Sequence, residues 1–398
     1  MVKISPLKPF LPKNPEEFTT NPYDVIEKDE ELELKRNPNS LIHLILPDGE
    51  GDEIYKNAAK AYQGYKDKGL IYKVNIPSIF VYQQQSQSFS HQGFIMGVAL
   101  EDYESGDIVK HEFTREKPLK DRTNHVVATN VAAGLVWTVF KSNKKINRII
   151  DKIKQKDPLF KFAKYNYTHV LWQETDPKIT NYLKEHFGNE KLYIADGHHR
   201  AASAAEYRKL KLSQNEEEDE KGWKYLLSYV ASDTQVRILP YNRVIKKLPL
   251  DVSDFLSKLE DIYRVKKRDS PFNPQHKNQV AICIKGDWYE LNVKNLGFSS
   301  ISESLDVSIL QDKVLNPILG IKDPRADENL FFVGGISDPI EMEKFVSEKG
   351  NDLFINLYPV NIKDLEEIGS EGRVMPPKST WFDPKVLSGL VMHDLIEF

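Results

Sequence analysis

The residues with the clearest chemical potential lie in one run, Tyr193–Arg200, which ends in Asp-Gly-His-His-Arg. An apolar stretch leads to the Asp-Gly pair, and an alanine-rich segment, 201–205, follows it. This pattern predicts a short strand, a sharp turn and a helix that begins beside two imidazoles and a guanidinium. A helix start presents N–H groups and the positive end of a dipole, to which phosphate oxygens bind well. The run therefore predicts a phosphate-binding turn, in which Arg200 adds a bidentate group.

Asp196 and Gly197 have several interpretations. Gly197 permits a backbone angle that other residues resist, and Asp196 can cap the helix, reach a substrate hydroxyl or bind a metal. Zinc is disfavoured because adjacent histidines point in different directions on a helix and the chain has no second cysteine. Magnesium that arrives with a nucleotide needs only one or two carboxylates, so Asp196 is its candidate ligand. The alternative is an ordinary capped turn with surface histidines.

A second group of reactive residues precedes this run. His111 and Glu112 lie at the predicted end of a strand, where alternation would place His111 and Phe113 on one face and Glu112 and Thr114 on the other. The charged segment that follows includes Arg122. A carboxylate beside a basic loop can act as the base for a hydroxyl nucleophile. The alternative is a charged strand terminus with solvated side chains.

A third group lies in the proline-stiffened segment Arg373–Lys385. It contains Lys378, Ser379, Thr380 and Lys385, a set that can bind an anion at low entropic cost. The segment is not a Walker A loop, because no Gly-x-x-x-x-Gly precedes the Lys-Ser pair. The alternative is a tightly packed surface loop.

Composition limits the class of protein. The chain has 398 residues, of which 40% are hydrophobic and 29% charged, which is typical of a globular protein of two or three domains. Its net charge of −4 argues against a dedicated nucleic-acid binder. Cys283 is the single cysteine, so no internal disulfide can form. Without a signal-like or membrane-spanning apolar run, we expect a cytoplasmic protein with no membrane partner.

The order of predicted elements mixes strands and helices, which favours the α/β or α+β class. Leu248-Pro249-Leu250 is the predicted boundary between domains 1–250 and 251–398. Further expectations are a strand over 41–46, a helix over 124–140, a solvated acidic loop over 216–220 and a loop over 333–335.

Asp196–Arg200 after an apolar strand, with His111-Glu112 upstream, resembles the free-serine kinases, whose core is similar to ParB and sulfiredoxin. In that core a Gly-x-x-Arg turn at a helix start holds nucleotide phosphates, and Gly197–Arg200 fits it. Sulfiredoxin chemistry is excluded, because His198 stands where sulfiredoxin needs a cysteine.

The whole chain also resembles a widespread bacterial family of about this length. The resemblance rests on five segments: Asn21–Ile26, Asp196–Arg200, Leu305–Leu310, Met375–Thr380 and Leu387–Leu390. The part similar to the kinases is shorter, about 95–245. The implied fold is a ParB/sulfiredoxin-like nucleotide-binding core with an N-terminal strand extension, followed by an α+β C-terminal domain.

The implied activity is phosphorylation of the hydroxyl of free L-serine to O-phosphoserine, with ATP or ADP as donor and Mg²⁺. By resemblance, Glu112 takes the proton from serine, Asp196 lies beside the reacting phosphate and the metal, and Gly197, His198, His199 and Arg200 bind phosphate. Candidate substrate or phosphate contacts are His111, Thr114, Arg122, Lys378, Ser379, Thr380 and Lys385. The alternatives are a ParB-like nucleotide-binding regulator and a kinase for another hydroxylated metabolite. Oligomeric state stays open.

Overall fold

A computed structural model describes residues 1–112, 114, 116–215, 221–324, 326–335 and 338–397. Contacts divide the chain into two units. The first unit comprises Met1–Lys110, Thr114–Val236 and Pro384–Phe398, and the second comprises His111–Phe113 and Arg237–Asp383. The predicted acidic loop over 216–220 lies outside the described residues, as does Phe113.

Strands and helices occur in mixed order along the described chain. The strands are β1 (Ile4–Ser5), β2 (Phe10–Pro12), β3 (Ile71–Lys73), β4 (Ile79–Gln85), β5 (Ser90–Ala99), β6 (Ile108–Val109), β7 (Val131–Ala132), β8 (Val136–Phe140), β9 (Phe160–Lys164), β10 (Tyr167–Glu174), β11 (Leu192–Asp196), β12 (Tyr225–Ser232), β13 (Arg237–Leu239), β14 (Tyr241–Ile245), β15 (Tyr263–Arg268), β16 (Gln279–Ile284), β17 (Asp287–Val293), β18 (Leu330–Gly334), β19 (Leu353–Leu357), β20 (Trp381–Asp383) and β21 (His393–Asp394). The helices are α1 (Pro15–Phe18), α2 (Lys28–Lys35), α3 (Ile42–Ile45), α4 (Glu53–Asp67), α5 (Leu100–Ser105), α6 (Glu116–Thr129), α7 (Lys144–Ile153), α8 (Pro177–Phe187), α9 (His198–Ser213), α10 (Val252–Leu259), α11 (Asp306–Leu310), α12 (Pro339–Ser347) and α13 (Ile362–Ser370).

The first unit is built on a large mixed sheet. Its strand order is β6-β11-β8-β12-β5-β4-β10-β9, and β1 also pairs with β5. The pairs β12–β8 and β11–β6 are parallel, whereas the other pairs in this sheet are antiparallel. Helices lie between the strands of this sheet in chain order. The predicted mixed α/β class is therefore confirmed.

Helix α9 packs into the core of this sheet through small side chains. Ala201 and Ala205 of α9 belong to the same buried apolar cluster as Leu192 and Ile194 of β11. Alanine keeps the helix axis close to the sheet and favours the helical backbone. The end of β11 and the start of α9 are therefore held by one core.

One predicted element of the first unit is wrong, and another is correct only in part. The segment 41–46 is not a strand, because Leu41, Ile42, Leu44 and Ile45 are buried around the short helix α3. Short apolar runs do not distinguish a strand from a buried helix by pattern alone. The predicted helix over 124–140 is also only partly correct: α6 ends at Thr129, Asn130 has a φ of 51°, and the β-branched and aromatic residues that follow form β7 and β8.

The second unit contains a sheet of order β15-β17-β16-β19-β14-β18, in which every pairing is antiparallel among the described strands. The predicted loop over 333–335 is wrong in part, because Gly334 ends β18. A side chain at Gly334 would overlap the indole of Trp381, so this strand position needs glycine. Cys283 is buried, and burial raises its pKa to about 11, which keeps the thiol protonated at neutral pH.

The segment 384–398 returns to the first unit after the second unit is complete. Strand β21 pairs with β7, and the amide of Trp223 donates to the carbonyl of Leu395 at 2.8 Å. Gly222 lies so close to this segment that an added Cβ would overlap the Asp394 carbonyl oxygen. The return of the chain is thus fixed by backbone contacts at Gly222.

Within the described residues, no helix combines the length and the apolar composition that crossing a membrane requires.

We expect Gly222→Ala to lower the free energy of unfolding by about 1–3 kcal/mol, because the methyl group forces the C-terminal segment away from its partners. Gly64→Ala is the matched control: Gly64 lies inside α4 with open space around it, so alanine should raise stability by up to about 1 kcal/mol. Urea denaturation of both variants measures the difference. Equal stability of the two variants would contradict the close approach at Gly222.

Candidate functional site

The predicted strand, turn and helix around Asp196 are confirmed. Strand β11 ends at Asp196, Gly197 forms the turn, and α9 begins at His198 and runs for 16 residues. Tyr193 and Ile194 pair with β8, where an irregularity between Ile194 and Asp196 breaks the register. The side chain of Asp196 is therefore presented at the end of the strand, beside the positive end of a long helix.

Gly197 is required by its backbone and by its neighbour. Its φ is 94°, in the left-handed region, where a side chain adds strain. A Cβ at Gly197 would also lie only 3.0 Å from Nε of Arg200. Gly134 also lies close to the Arg200 side chain, because a Cβ at this position would be 3.1 Å from Cδ of Arg200. The two glycines leave the space through which the Arg200 guanidinium reaches Asp196.

The carboxylate of Asp196 accepts hydrogen bonds from two cations. Arg200 donates from Nη2 to Oδ2 at 2.5 Å, and Lys385 donates from Nζ to Oδ1 at 2.8 Å. Side-chain exposure is 14% for Asp196, 12% for Arg200 and 11% for Lys385. We call these three residues the ion trio. One carboxylate and two cations leave the trio with a single net positive charge at the start of α9.

The trio fixes the ionisation of its members. Burial alone would raise the pKa of Asp196, but the charges of Lys385 and Arg200 hold it well below its ordinary value. Burial works in the opposite direction on Arg200, yet Asp196 raises the pKa of the guanidinium. Asp196 and Arg200 are therefore both charged at neutral pH.

His198 is not a cation at neutral pH. Burial lowers its pKa to about 4, although the nearby Asp196 carboxylate opposes this shift. The imidazole can therefore exchange hydrogen bonds with a ligand, but it does not neutralise phosphate charge. His199 is half-buried in the first turn of α9. The positive charge of this site comes from Arg200 and Lys385.

Lys385 is positioned by a chain of buried polar groups. Its backbone carbonyl accepts a hydrogen bond from Nε2 of Gln84 at 3.0 Å. Gln84 in turn pairs with Nε2 of His91 at 2.9 Å, and Nδ1 of His91 lies 3.2 Å from the hydroxyl of Tyr229. Gln84, His91 and Tyr229 are all buried. Buried, connected polar groups of this kind hold the backbone in one arrangement.

Arg122 and Tyr23 lie on another side of Arg200. The guanidinium of Arg122 lies 4.4 Å from the ring centre of Tyr23 and donates to Asp121 at 2.6 and 2.9 Å. Burial raises the pKa of the Tyr23 hydroxyl to about 12. A cavity of about 80 Å³ is lined by Tyr23, Arg122, Gly134, Arg200, Ser203 and Ser388, together with apolar side chains. Two guanidinium groups thus face one small cavity beside the turn.

Sequence reasoning missed Tyr23 and Asp24 as neighbours of the site. The charge of Asp24 raises the pKa of Arg200, and Tyr23 is also within its electrostatic reach. Tyr23 and Asp24 belong to the Asn21–Ile26 segment, which the sequence analysis did single out. That segment has no chemical pattern of its own, so its sequence does not indicate that it lies near Arg200. Tertiary folding brings the two together.

The remaining candidates divide between the units. Thr114 is a half-buried residue of the first unit, whereas His111 and Glu112 belong to the second. Strand β6 ends at Val109, so His111 and Glu112 lie beyond it rather than at its last position. The carbonyl of His111 accepts from the amide of Met375 at 2.9 Å, which fixes its backbone within the second unit.

The proline-stiffened segment is also divided. Lys378, Ser379 and Thr380 belong to the second unit, and Lys385 belongs to the first. Nζ of Lys378 lies 5.2 Å from the ring centre of Tyr241, and the hydroxyl of Ser379 donates to the Pro376 carbonyl at 2.6 Å. Thr380 is half-buried. Lys385 is the member of this segment that the structure brings to Asp196.

A magnesium ion at Asp196 meets a specific obstacle. Carboxylate oxygens are suitable ligands for Mg²⁺. Both oxygens of Asp196, however, already accept a hydrogen bond from a cation. A metal bound directly to Asp196 would share an oxygen with Lys385 or Arg200, and repulsion from these two cations disfavours it.

Residues 4–308 match the family described as "Protein of unknown function (DUF1015)". The chain belongs to this family. No curated protein matches the sequence.

The chain is similar to several solved structures at low sequence identity. Free serine kinase in complex with AMP is 14% identical, with 76% of this chain and 91% of that chain covered and a TM-score of 0.41. A mutant free serine kinase in complex with ADP is 13% identical, with 76% and 92% covered and a TM-score of 0.41. C-terminally truncated SbnI from Staphylococcus aureus is 13% identical, with 74% and 85% covered and a TM-score of 0.40.

The ion trio makes a prediction for stability. Asp196→Asn leaves Arg200 and Lys385 buried without a counter-charge, so we expect a loss of about 3–5 kcal/mol at pH 7. Because the folded pKa of Asp196 is depressed, wild type keeps this stability above the ordinary Asp value of 3.8 and loses it as the pH falls further. Chemical denaturation between pH 7 and pH 3 measures both proteins. A difference that stays constant below pH 4 would contradict an ionised, paired Asp196.

Proposed function

We propose that this protein is a nucleotide-dependent phosphotransferase that converts free L-serine to O-phosphoserine. The observation that supports this function is the ion trio at the start of α9. Arg200 and Lys385 provide more positive charge than Asp196 neutralises, and the helix dipole adds to it. Such a place suits the phosphate chain of ATP or ADP.

The proposed donor site combines backbone and side-chain groups. N–H groups at the start of α9 would receive phosphate oxygens, and Gly197 allows close approach. Arg200 and Lys385 would stabilise the charge that develops on the phosphates during transfer. His198 would contribute a neutral imidazole. ATP and ADP present the same β-phosphate to this turn, so both remain candidate donors.

Magnesium is proposed to enter with the nucleotide. Mg²⁺ commonly binds through substrate phosphates and one or two carboxylates. Asp196 is its candidate protein ligand, and repulsion of the metal would fall if the Lys385 ammonium moved from Oδ1 to a phosphate oxygen. That exchange would preserve the number of charge-assisted hydrogen bonds that Lys385 makes.

The proposed base for the acceptor is Glu112. Its carboxylate would take the proton of the serine hydroxyl while the hydroxyl oxygen forms a bond to the terminal phosphorus. The bond from that phosphorus to the bridging oxygen breaks, and the shortened nucleotide leaves with the electron pair. Alignment and charge stabilisation supply most of the rate in such a transfer.

The choice of serine rests on the resemblance of Asp196–Arg200 and His111-Glu112 to the free-serine kinases. Incubation with γ-labelled ATP or β-labelled ADP, magnesium and a panel of hydroxylated metabolites tests it. Label in O-phosphoserine supports the proposal. Label found only in another product would identify a different acceptor. Nucleotide binding without transfer would favour a regulatory protein.

Glu112→Gln should lower turnover by about 10²–10⁴-fold, because the amide cannot accept the proton. Nucleotide affinity should stay within about twofold, since the substitution leaves the donor site unchanged. Glu116→Gln, at the exposed start of α6, is the matched control and should keep wild-type turnover. Wild-type turnover of Glu112→Gln would remove Glu112 from the mechanism.

Lys385→Met should weaken ADP binding by about tenfold or more, because one charge-assisted hydrogen bond to phosphate is lost. It also removes the net positive charge of the trio. Lys178→Met makes the same charge change at an exposed position of α8 and should bind ADP like wild type. Calorimetric titration with ADP measures all three proteins, and equal affinities would exclude Lys385 from the donor site.

A further inference from the structure

A separate pocket of about 190 Å³ lies wholly within the second unit. Its lining includes Lys277, Asp306, Tyr358, Asn361 and Asp364. Asp306 comes from the Leu305–Leu310 segment, one of the five that carry the resemblance to the bacterial family. The proposed phosphotransfer uses none of these residues, so the pocket needs its own explanation.

Asp306 is the unusual group in this pocket. It is only 5% exposed, and both of its carboxylate oxygens accept from one donor, the amide of Asn278, at 2.9 and 3.1 Å. No cation lies within ion-pair distance of Asp306 among the described residues. A buried carboxylate that lacks a cationic partner is costly, and a ligand with a positive charge would remove that cost.

The rim of the pocket carries one charge of each sign. Nζ of Lys277 lies 3.6 Å from Asp364 and donates to the hydroxyl of Ser304 at 3.1 Å. At that separation Lys277 and Asp364 form a loose ion pair, and Lys277 is 37% exposed. An ammonium group at this rim can also bind a carboxylate of a ligand.

The pocket therefore offers a buried acceptor for a cation and a rim donor for an anion. A free α-amino acid carries both groups on adjacent atoms. The volume of about 190 Å³ suits a small amino acid. We propose that this pocket binds a small free α-amino acid, whose ammonium group pairs with Asp306 and whose carboxylate pairs with Lys277.

The ionisation of Asp306 supports this chemistry. Burial raises its pKa to about 7, and the amide of Asn278 only partly offsets the shift. The titratable groups that face it are Lys277, His276, Asp364 and Tyr263. Because the ionised carboxylate is the form that binds ammonium, affinity should rise by about tenfold between pH 6 and pH 8.

The test is calorimetric titration of the full chain with glycine and L-alanine, which have no hydroxyl to phosphorylate. We expect saturable binding that Asp306→Asn weakens at least tenfold and that loses its pH dependence in the same variant. N-acetyl-L-alanine, which lacks the ammonium group, should not bind. Absence of binding by glycine and L-alanine at both pH values would overturn the proposal.

Two further measurements separate the ligand groups. Lys277→Met lies at the rim, so folding should be preserved, and it should weaken L-alanine binding while leaving ethylamine binding unchanged. Equal L-alanine affinity in Lys277→Met would overturn the assigned orientation. Heat from MgCl₂ or CaCl₂, with none from amino acids, would make the pocket a metal site instead.

The proposal is independent of the proposed phosphotransfer. Glu112→Gln should bind L-alanine like wild type even if it produces no phosphoserine. If the wild-type protein forms no phosphoserine but binds L-alanine, only the proposed function is contradicted; if it forms phosphoserine but does not bind L-alanine, only the pocket is contradicted.

Discussion

The largely buried carboxylate of Asp196 forms ion pairs that connect distant parts of the first unit. It receives Arg200 from the first turn of α9 and Lys385 from the segment that returns after the second unit. Three parts of the chain are thereby joined at one point: the end of β11, the start of α9 and the C-terminal return. Because the cations outnumber the carboxylate, the same contacts that hold these parts together also leave the helix start attractive to an anion. The ion trio therefore has both a structural role and a role in the proposed anion binding.

Asp196 and Asp306 illustrate how neighbours decide what burial does to a carboxyl group. Both are nearly removed from solvent, and burial raises the pKa of each. Two cations reverse the effect at Asp196. Asp306 has one backbone amide, and its pKa stays high. The first carboxylate is compensated by two cations of the protein, whereas the second is compensated only in part, by one amide and by charges beyond ion-pair distance.

Local chemistry made part of this structure predictable. A short apolar run before an Asp-Gly pair and alanines after it predict β11, its turn and α9 without reference to the rest of the chain. The partner of Lys385 could not be predicted, because 189 positions separate it from Asp196 and no local pattern links them. The neutral state of His198 was equally inaccessible, since it follows from burial. Short apolar runs such as 41–46 fail for the same reason: packing against other elements decides their conformation.

The discontinuous first unit has a consequence for biosynthesis. Its sheet and α9 emerge from the ribosome well before Lys385, which is translated only after the whole second unit. Until then, Arg200 is the only member of the ion trio that can neutralise Asp196, and β7 awaits the partner strand that later covers it. Nascent chains generally fold domain by domain from the N-terminus. In this protein, that order delays assembly of the cationic helix start until the second unit has been synthesised, so products that terminate before Lys385 lack it.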